Sequence, residues 1–330
     1  MRYLKTHSTD PHYNLAFEEY AFRQLFRGEP LLLLWQNEPS VIIGKFQNTI
    51  EEINEDFIRE RGVHVVRRMT GGGAVYHDLG NLNYSFIMEN ESGLIDFSRF
   101  TMPLLRALEK MGIDASLTGR NDLLIDGCKF SGSAQHSSNK RILHHGTLLF
   151  SSNLEDVQAA LRVKPSKVES KGIKSVRSRV TNISDHLSEA ITLEEFRELL
   201  LFHLFDGAAV AEFLPGPAEL AAIEELAEGK YRQWAWNYGS SPRYNLSRSR
   251  RYPFGEVEFR LEVKDGLIQS CKIYGDFFST GDIEALAQRF QGVCFKEEDL
   301  AAMIPTLPLQ ECFPALSGRQ LLCLLLDLPE

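Results

Sequence analysis

The sequence lacks the features that would place a chain in or across a membrane. Its longest apolar runs, such as 31–35 and 321–326, fall far short of the about 20 residues that a membrane-spanning helix requires. The amino-terminal stretch MRYLKTHSTD contains no hydrophobic signal core. We therefore expect a soluble protein with a cytoplasmic location and no membrane partner.

Cysteine is scarce and irregularly placed. The chain has 5 cysteines, an odd number, widely spread and without a CxxC motif. Such a pattern disfavours both a disulfide framework and a zinc site, and reduced thiols are the expectation. The pair His144-His145 has no third ligand nearby in the sequence, so we do not expect it to bind a metal.

Positive charge is in deficit. Lys and Arg total 36 against 45 Asp and Glu, which gives a net charge of −9 with histidine neutral. Because non-specific nucleic-acid binding depends on a positive surface, no nucleic-acid partner is expected. The chain is 43% hydrophobic and 25% charged, as is usual for a globular protein, and its 330 residues correspond to about two domains.

The hydrophobic pattern predicts a mixed α/β domain followed by a smaller α+β domain. Helices are expected over 11–26, 48–62, 98–111 and 193–206, interspersed with short strands. Past residue 207 the composition changes, and two strands are predicted over 256–264 and 267–274. We place the domain boundary at 246, which gives domains of 1–246 and 247–330.

Three consecutive glycines, Gly71 to Gly73, follow a predicted strand. Without Cβ atoms their backbone N–H groups can approach a ligand closely. Arg67 and Arg68 stand just before them and His77 just after, a setting that fits an anionic ligand held by guanidinium groups and backbone dipoles. A flexible hairpin turn explains the glycines equally well.

A second candidate is the stretch NDLLIDGCKFSGSAQ, residues 121–135. Asp126-Gly127 is a typical two-residue hairpin turn, so Asp122 and Lys129 should lie on facing strands. The carboxylate could bind Mg²⁺ while the ammonium stabilises a phosphate or a developing negative charge. An ordinary hairpin with a surface lysine is the alternative.

The third candidate is the segment from Arg162 to Val180, with seven basic residues and one acidic residue in an otherwise acidic protein. Its glycine and serines predict a mobile loop that orders over a polyphosphate. A solvated basic loop is the alternative. From these residues alone, the sequence indicates an enzyme that uses a nucleotide.

Taken together, the motifs resemble those of a known family. The segment RRMTGGGAVYHDLGN, residues 67–81, resembles the signature RR-x-[ST]-GGG-A-V-x-HD-x-GN of lipoate–protein ligases. Three further blocks match in the same order and spacing: GRND at 119–122 with GCKFSGSA at 127–134, HHGTLL at 144–149, and KGIKSVRSRVTN at 171–182. Weaker resemblance continues into the carboxy-terminal domain.

The resemblance implies the fold of the biotin/lipoate ligase superfamily, with a mixed sheet flanked by helices and a small accessory domain. It also implies a two-step reaction that uses ATP, Mg²⁺ and free lipoate. Lipoate is activated to lipoyl-AMP and the lipoyl group is then transferred to a lysine of an apo lipoyl-domain protein. The expected acceptors are the E2 subunits of 2-oxo-acid dehydrogenases and the glycine-cleavage H protein.

The same resemblance implies roles for individual residues. Lys129 would be catalytic, Asp122 would hold Mg²⁺ with Asn121 nearby, and Glu18 and Trp35 would border the acyl pocket. The basic segment would close over the adenylate and protect it from water. The residues implied at the ATP and lipoyl-adenylate site are Arg68, Thr70, Gly71, Gly72, Gly73, His77, Asn81, Lys129, Gly132, Ala134, Lys171, Ser175, Arg179 and Asn182.

Two alternatives belong to other function classes. An octanoyl or lipoyl transferase of the same fold would use a cysteine as acyl carrier, and Cys128 is the only candidate near the motifs. Where one such transferase family has its cysteine, this chain has Ile142. A non-catalytic nucleotide- or lipoate-binding module would keep the basic segment but would have no use for Lys129. Biotin ligases are related, but their GRGRxG-type loop is absent from this sequence.

Overall fold

The computed structural model describes residues 1–91, 96–119, 121–161, 180–210, 212–238, 245–264, 266–313 and 315–329. The chain divides into two compact units. The first unit comprises Met1–Ile43, Thr49–Met69 and Ala74–Tyr238, and the second comprises Gly44–Asn48, Thr70–Gly73 and Gly239–Glu330. The predicted domain boundary at 246 stays a prediction. In the described part of the chain, no helix has the length and apolar character needed to cross a membrane.

The first unit is built on an eight-stranded mixed sheet and a smaller three-stranded sheet. In spatial order the large sheet is β11-β1-β2-β6-β10-β9-β8-β7 and the small one is β4-β3-β5. The strands are β1 Arg2–Lys5, β2 Leu31–Trp35, β3 Ser40–Ile43, β4 His64–Arg67, β5 Val75–His77, β6 Asn81–Glu89, β7 Ala115–Thr118, β8 Asp122–Ile125, β9 Cys128–Ser138, β10 Arg141–Leu149 and β11 Glu212–Phe213.

Helices cover both faces of the large sheet. They are α1 Pro11–Tyr20, α2 Thr49–Glu52, α3 Glu55–Arg61, α4 Ser98–Lys110, α5 Leu154–Ala159, α6 Leu193–Leu204, α7 Pro217–Leu226 and α8 Trp234–Asn237. One face packs on α4 and α6 through Tyr84, Phe100 and Phe196. The opposite face packs on α1 through Leu33 and Phe17. The alternation of side chains along β2, β6 and β10 thus separates two apolar cores.

The second unit contains a three-stranded antiparallel sheet with short helices. Its strands are β12 Leu246–Tyr252, β13 Gly255–Lys264 and β14 Leu267–Gly275, and its helices are α9 Ile283–Gln288, α10 Glu297–Met303, α11 Leu309–Cys312 and α12 Gly318–Leu326. They enclose a core that includes Phe259, Phe290 and Phe313. Phe46, from the amino-terminal half of the sequence, belongs to this core and stacks on Phe277 with ring centroids 5.0 Å apart.

The fold class predicted from the sequence is confirmed, with local corrections. The predicted helix over 48–62 is two helices, because the Asn54 side chain accepts from Phe57 N and starts α3 afresh. The helix predicted to reach residue 26 leaves α-geometry after Tyr20 and ends in a π-helical turn, Ala21–Leu25. Strand β12 was not predicted, because its arginines and serines mask the alternation of a half-buried strand.

Candidate active site

The Asp126-Gly127 turn brings Asp122 and Lys129 together as predicted. Both turn residues have positive φ, 50° and 77°, which suits a tight hairpin between β8 and β9. Lys129 Nζ lies 2.7 Å from Asp122 Oδ1, and both side chains are partly exposed. The hairpin therefore presents a paired ammonium and carboxylate at a surface that substrates can reach.

Because Gly132 has no side chain, the Lys129 ammonium can lie directly over the strand at that position. A Cβ atom on Gly132 would lie 2.9 Å from Lys129 Nζ, so any side chain there would displace the lysine. Asn121 secures the neighbouring backbone, since its Nδ2 donates to Ser133 O at 2.7 Å and its own carbonyl accepts from Ser133 N at 3.0 Å. The close approach at Gly132 thus holds Nζ above the strand.

The sheet surface beyond Lys129 carries small and polar side chains. Register pairs Trp35 with Asn83 and Asn83 with Thr147, and the Thr147 hydroxyl accepts from Gly132 N. Two positions further along each strand, and so on the same face of the sheet, Ser85 pairs with His145 and His145 with Ala134. One face of the sheet therefore runs from Lys129 over Gly132 to His145, and we call this row of side chains the floor.

Glu18 on α1 lies above the inner end of this floor in a buried polar network. The side chain is 1% exposed and accepts from His145 Nδ1 at 2.8 Å. It also accepts from the Ser85 hydroxyl, which in turn accepts from Trp35 Nε1 at 2.9 Å. Glu18 and Trp35 thus lie together, linked through Ser85, and Trp35 also belongs to the apolar core that packs on α1. Their role at an acyl pocket stays a prediction.

His145 is the residue in this network that the sequence analysis missed. The sequence analysis treated it only as one of the two adjacent histidines, His144-His145, that were not expected to bind a metal. The signal that could have found it is strand alternation, which places His144 and His145 on opposite faces of β10. His144 stacks on Phe100 with centroids 4.8 Å apart and bonds to Gln135, whereas His145 faces Glu18.

Arg68 and His77 are both buried in the first unit. Arg68 donates to Ile42 O at 3.1 Å, and burial lowers the pKa of its guanidinium to about 10, opposed by the nearby Glu18 charge. Burial, with smaller effects of Arg68 and His145, lowers the pKa of His77 to about 3. At neutral pH the site therefore holds a cationic arginine and a neutral histidine.

A cavity of about 380 Å³ opens beside Lys129. Its walls are mostly apolar and include residues of β5, an edge strand of the small sheet. Ser131 contributes a buried hydroxyl to the lining. The lining residues are Ala74, Val75, Tyr76, Lys129, Phe130, Ser131, Thr147, Leu149, Val157, Gln158, Leu161 and Val180.

The triple glycine has packing reasons for its composition. Thr70 to Gly73 belong to the second unit, where Gly72 N donates to Phe277 O at 3.2 Å. A Cβ on Gly71 would lie 2.3 Å from the same carbonyl oxygen, and Gly72 has a φ of 91°. Close backbone packing therefore requires glycine at 71, and the positive φ favours glycine at 72, with or without a ligand.

The remaining predicted residues are located as follows. Asn81 Nδ2 donates to Asn83 Oδ1 at 2.9 Å, and Ala134 pairs with His145. The Asn182 side chain bonds to both backbone groups of Ser152 at 3.0 Å, so its amide fastens two loops together. Lys171, Ser175 and Arg179, with most of the basic segment, lie outside the described residues.

Comparison with known proteins agrees with this geometry. Residues 10–205 match the model of the lipoyl protein ligase A/B catalytic domain, and residues 241–325 match the bacterial lipoate protein ligase C-terminus. The chain belongs to the lipoate–protein ligase family. The resemblance drawn from the sequence blocks is therefore confirmed.

Individual members of the lipoate–protein ligase family align over most of the chain. The chain is 46% identical over 320 residues to lipoate-protein ligase LplJ of Bacillus subtilis (strain 168), covering 96% of this chain and 97% of that protein. The crystal structure of P. falciparum LipL1 in complex with lipoate superposes with a TM-score of 0.80 at 27% identity, covering 93% and 94% of the two chains. A crystal structure of lipoate-protein ligase A bound with ATP superposes with a TM-score of 0.63 at 28% identity, covering 72% of this chain and 98% of that chain.

Proposed function

We propose that the protein is an ATP-dependent lipoate–protein ligase. In the first step a lipoate carboxylate oxygen attacks the α-phosphorus of ATP, which forms lipoyl-AMP and expels pyrophosphate. In the second step the ε-amine of an acceptor lysine attacks the acyl carbon, loses a proton and releases AMP. The observation that carries this proposal is the position of Lys129 Nζ over Gly132, at the open end of the cleft and beside the 380 Å³ cavity.

Lys129 would act on the charges that meet in the first step. Lipoate and ATP are both anions, so a fixed ammonium between them offsets their repulsion and stabilises charge in the transition state. Asp122 at 2.7 Å holds the ammonium in place before the substrates arrive. The lysine is partly exposed, so it can exchange this carboxylate for substrate oxygens without a large rearrangement.

Lipoate would occupy the cleft between the large sheet and α1. We place the extended acyl chain along Trp35 and the small side chains of the floor, with Glu18 at its inner end. Arg68 and His77, buried near Glu18 and Trp35 respectively, would line the same cleft. The length of the floor from Gly132 to His145 supports a linear substrate with its carboxylate at Lys129.

The adenosine part of ATP would occupy the cavity beside Lys129. Its apolar walls suit a purine ring, and β5 has no second neighbouring strand among the described elements, so its outer backbone groups are available to a base edge. Asn81, Gly132 and Ala134 remain proposed contacts to the adenylate, as do Thr70 to Gly73, Asn182 and the three residues of the basic segment.

The residues present fit one magnesium ion bound mainly through substrate. Among the described residues no group of three or more His, Cys, Asp and Glu side chains could form a complete metal cage. Mg²⁺ in nucleotide-using enzymes commonly takes one or two carboxylates and fills its shell with phosphates and water. Asp122 would hold it, with Asn121 Oδ1 nearby, and the ion would neutralise phosphate charge.

The acceptor would be a lysine on an apo lipoyl domain. The E2 subunits of 2-oxo-acid dehydrogenases and the glycine-cleavage H protein remain the proposed acceptors, on the strength of the sequence resemblance. A cytoplasmic location likewise stays a prediction.

Mass spectrometry of an apo lipoyl domain tests the function. Incubated with the protein, free lipoate, Mg²⁺ and ATP, the domain should gain one lipoyl group on one lysine. Leaving out ATP should abolish the modification, because no adenylate can form. Equal modification without any nucleoside triphosphate would refute the ligase and favour transfer from a preformed acyl carrier.

The transferase alternative receives no support from the geometry. Cys128 adjoins Lys129 on β9, and successive side chains of a strand point to opposite faces, so its thiol faces away from the lysine side. An acyl group on Cys128 would therefore lie on the wrong face for the cleft.

A further inference from the structure

Asn14 on α1 has a fixed amide orientation. Its Nδ2 donates to two backbone carbonyls, Ser8 O at 2.9 Å and Gln36 O at 2.8 Å. A carbonyl can only accept, so the end of the amide that faces both must be the nitrogen. The Thr6 hydroxyl occupies the oxygen end at 3.2 Å. No ligand is needed to orient this side chain.

Asn37 transmits that orientation to His77. Asn37 Oδ1 lies 3.0 Å from Asn14 Nδ2 and shares one of its two N–H groups with a carbonyl, which leaves Asn37 Nδ2 facing His77 Nδ1 at 3.1 Å. An amide nitrogen can only donate, so Nδ1 must accept. The neutral imidazole then carries its single proton on Nε2. The two asparagines are 2% and 0% exposed, so water does not compete for these bonds.

The resulting Nε2–H of His77 is a buried donor without a hydrogen-bond partner in the part of the chain that the structure describes. His77 is 3% exposed. Buried donors are nearly always satisfied, so an unsatisfied one at a cleft points to a missing ligand atom. The atom required is a hydrogen-bond acceptor.

The position of His77 indicates which part of the ligand supplies that acceptor. Its ring lies edge-on to Trp35 with centroids 6.3 Å apart, and Trp35 Nε1 reaches Ser85, level with Glu18 and His145. Lys129 Nζ lies over Gly132, which is two positions along β9 from Ala134, the residue paired with His145. The lysine is therefore nearer than His145 to the open end of the floor. His77 is therefore associated with the inner end, where the tail of a bound acid would lie.

We propose that the Nε2–H of His77, fixed by Asn14 and Asn37, donates to a ring sulfur of lipoate and selects lipoate over an unsubstituted fatty acid such as octanoate. This inference rests on the proposed ligase function. A dithiolane sulfur is a weak acceptor, whereas the tail of octanoate has none and would leave the donor buried and unpaired. Asn14 and Asn37 are positioning residues, since they act on the ligand only through His77.

Imidazole ¹⁵N spectra of the wild-type protein test the proton position directly. The chain has 9 histidines, so the His77 signals are assigned by their loss in His77→Gln. We expect a neutral ring protonated at Nε2, and an Nε2–H shift that changes on addition of lipoate but not of octanoate. A ring protonated at Nδ1, or equal shifts with the two acids, would overturn the proposal, and both are read from the wild-type protein once a folded His77→Gln has supplied the assignment.

Asn37→Asp reverses the direction of the hydrogen bond between residue 37 and His77 Nδ1, and the side chain at position 37 keeps almost the same shape. A carboxylate oxygen accepts from Nδ1–H, so the neutral ring would leave Nε2 bare. In mildly alkaline buffer we expect the ratio of kcat/KM for lipoate to kcat/KM for octanoate to fall at least about fivefold, mainly through KM for lipoate. A spectrum showing Nδ1–H with a ratio within twofold of wild type would refute the selection by His77.

Gln135→Glu is the matched control. Gln135 Nε2 lies 2.8 Å from His144 Nδ1, the same amide–imidazole arrangement on the opposite face of the sheet. The control makes the same chemical change away from the cleft and should leave the acyl preference unchanged. An equal fall in the lipoate-to-octanoate ratio of kcat/KM in both variants would overturn the proposal, because it would show a general loss of packing. Absence of ATP-dependent lipoylation by the wild-type protein would instead refute the ligase function itself.

Discussion

The backbone N–H of Arg67 donates to Asn237 Oδ1 at 2.9 Å, and the Arg67 side chain donates to the Asn237 carbonyl at 3.2 Å. Thr49 completes the contact, since its hydroxyl accepts from Arg67 Nη2 at 2.7 Å and donates to the same carbonyl. All three residues are buried. The first arginine of the RR motif thus joins three distant parts of the first unit, and its neighbour Arg68 is the one near Glu18.

Arg67→Met should therefore destabilise the first unit. The substitution keeps much of the side-chain volume but leaves buried carbonyls unsatisfied, and we expect a loss of about 2–4 kcal/mol in the free energy of unfolding. Urea unfolding followed by tryptophan fluorescence measures it, because all three tryptophans, Trp35, Trp234 and Trp236, lie in that unit.

Arg59→Met is the control for that measurement. Arg59 is 76% exposed and pairs with the equally exposed Asp56, so its loss should change stability by less than about 0.5 kcal/mol. Similar losses in both variants would contradict the assigned role of Arg67.

Lys129→Ala should abolish adenylate formation while the fold is retained. The lysine is partly exposed and contributes little to the core, but its ammonium is the fixed positive charge at the open end of the cleft. We expect kcat for lipoate-dependent release of pyrophosphate to fall by a factor of about 100 or more. Lys140→Ala, in the exposed β9–β10 turn, should behave like wild type. Near-normal turnover without Lys129 would disprove its catalytic role.

Cys128→Ser should retain most of the ligase activity. The proposed reaction passes through a mixed anhydride and needs no thiol, and Cys128 faces away from the lysine side of β9. Initial rates of acceptor lipoylation should stay within about twofold of wild type. Loss of activity, together with an acyl thioester trapped on the wild-type protein, would instead establish the transferase mechanism.

Acid should destabilise the first unit partly through His77. Its pKa is lowered from 6.5 to about 3 by burial, with smaller effects of Arg68 and His145. Between those pH values the unfolded chain binds a proton that the folded chain does not, so stability rises with pH across this window and is lost as pH falls. Above 6.5 this contribution is constant.

Replacing His77 isolates its contribution to the pH dependence. The slope of the unfolding free energy against pH reports how many more protons the unfolded chain binds than the folded one. Below pH 6.5 we expect this number to be lower in His77→Gln than in the wild type, by up to about one proton. The slope is independent of any uniform stability change that the substitution causes. An unaltered slope would mean that His77 is not held neutral by the fold.

Local patterns in the sequence predicted the hairpin of the site well. Asp126-Gly127 specifies a tight turn, and a tight turn determines which residues face each other, so the pairing of Asp122 with Lys129 followed from a stretch of eight residues. The helix predicted over 193–206 was equally local, because Thr192 and Glu195 form a capping box at the start of α6.

Contacts between distant elements could not be predicted in this way. Glu18 meets His145 across 127 positions of sequence, and Asn37 meets His77 across 40. Neither pair follows from periodicity, because each depends on how the sheets and α1 pack in three dimensions. The resemblance named Glu18 and His77, but their partners His145 and Asn37 became recognisable only in the folded structure.

The core of the second unit includes a short stretch from far upstream. Phe46 O accepts from Gly275 N at 2.7 Å, and the Phe46 ring covers Phe277. A gene split after residue 238 would therefore produce a carboxy-terminal polypeptide deprived of Gly44–Asn48 and Thr70–Gly73, with an aromatic face bare. Such a carboxy-terminal polypeptide would depend on the amino-terminal one to supply these two short stretches of its core.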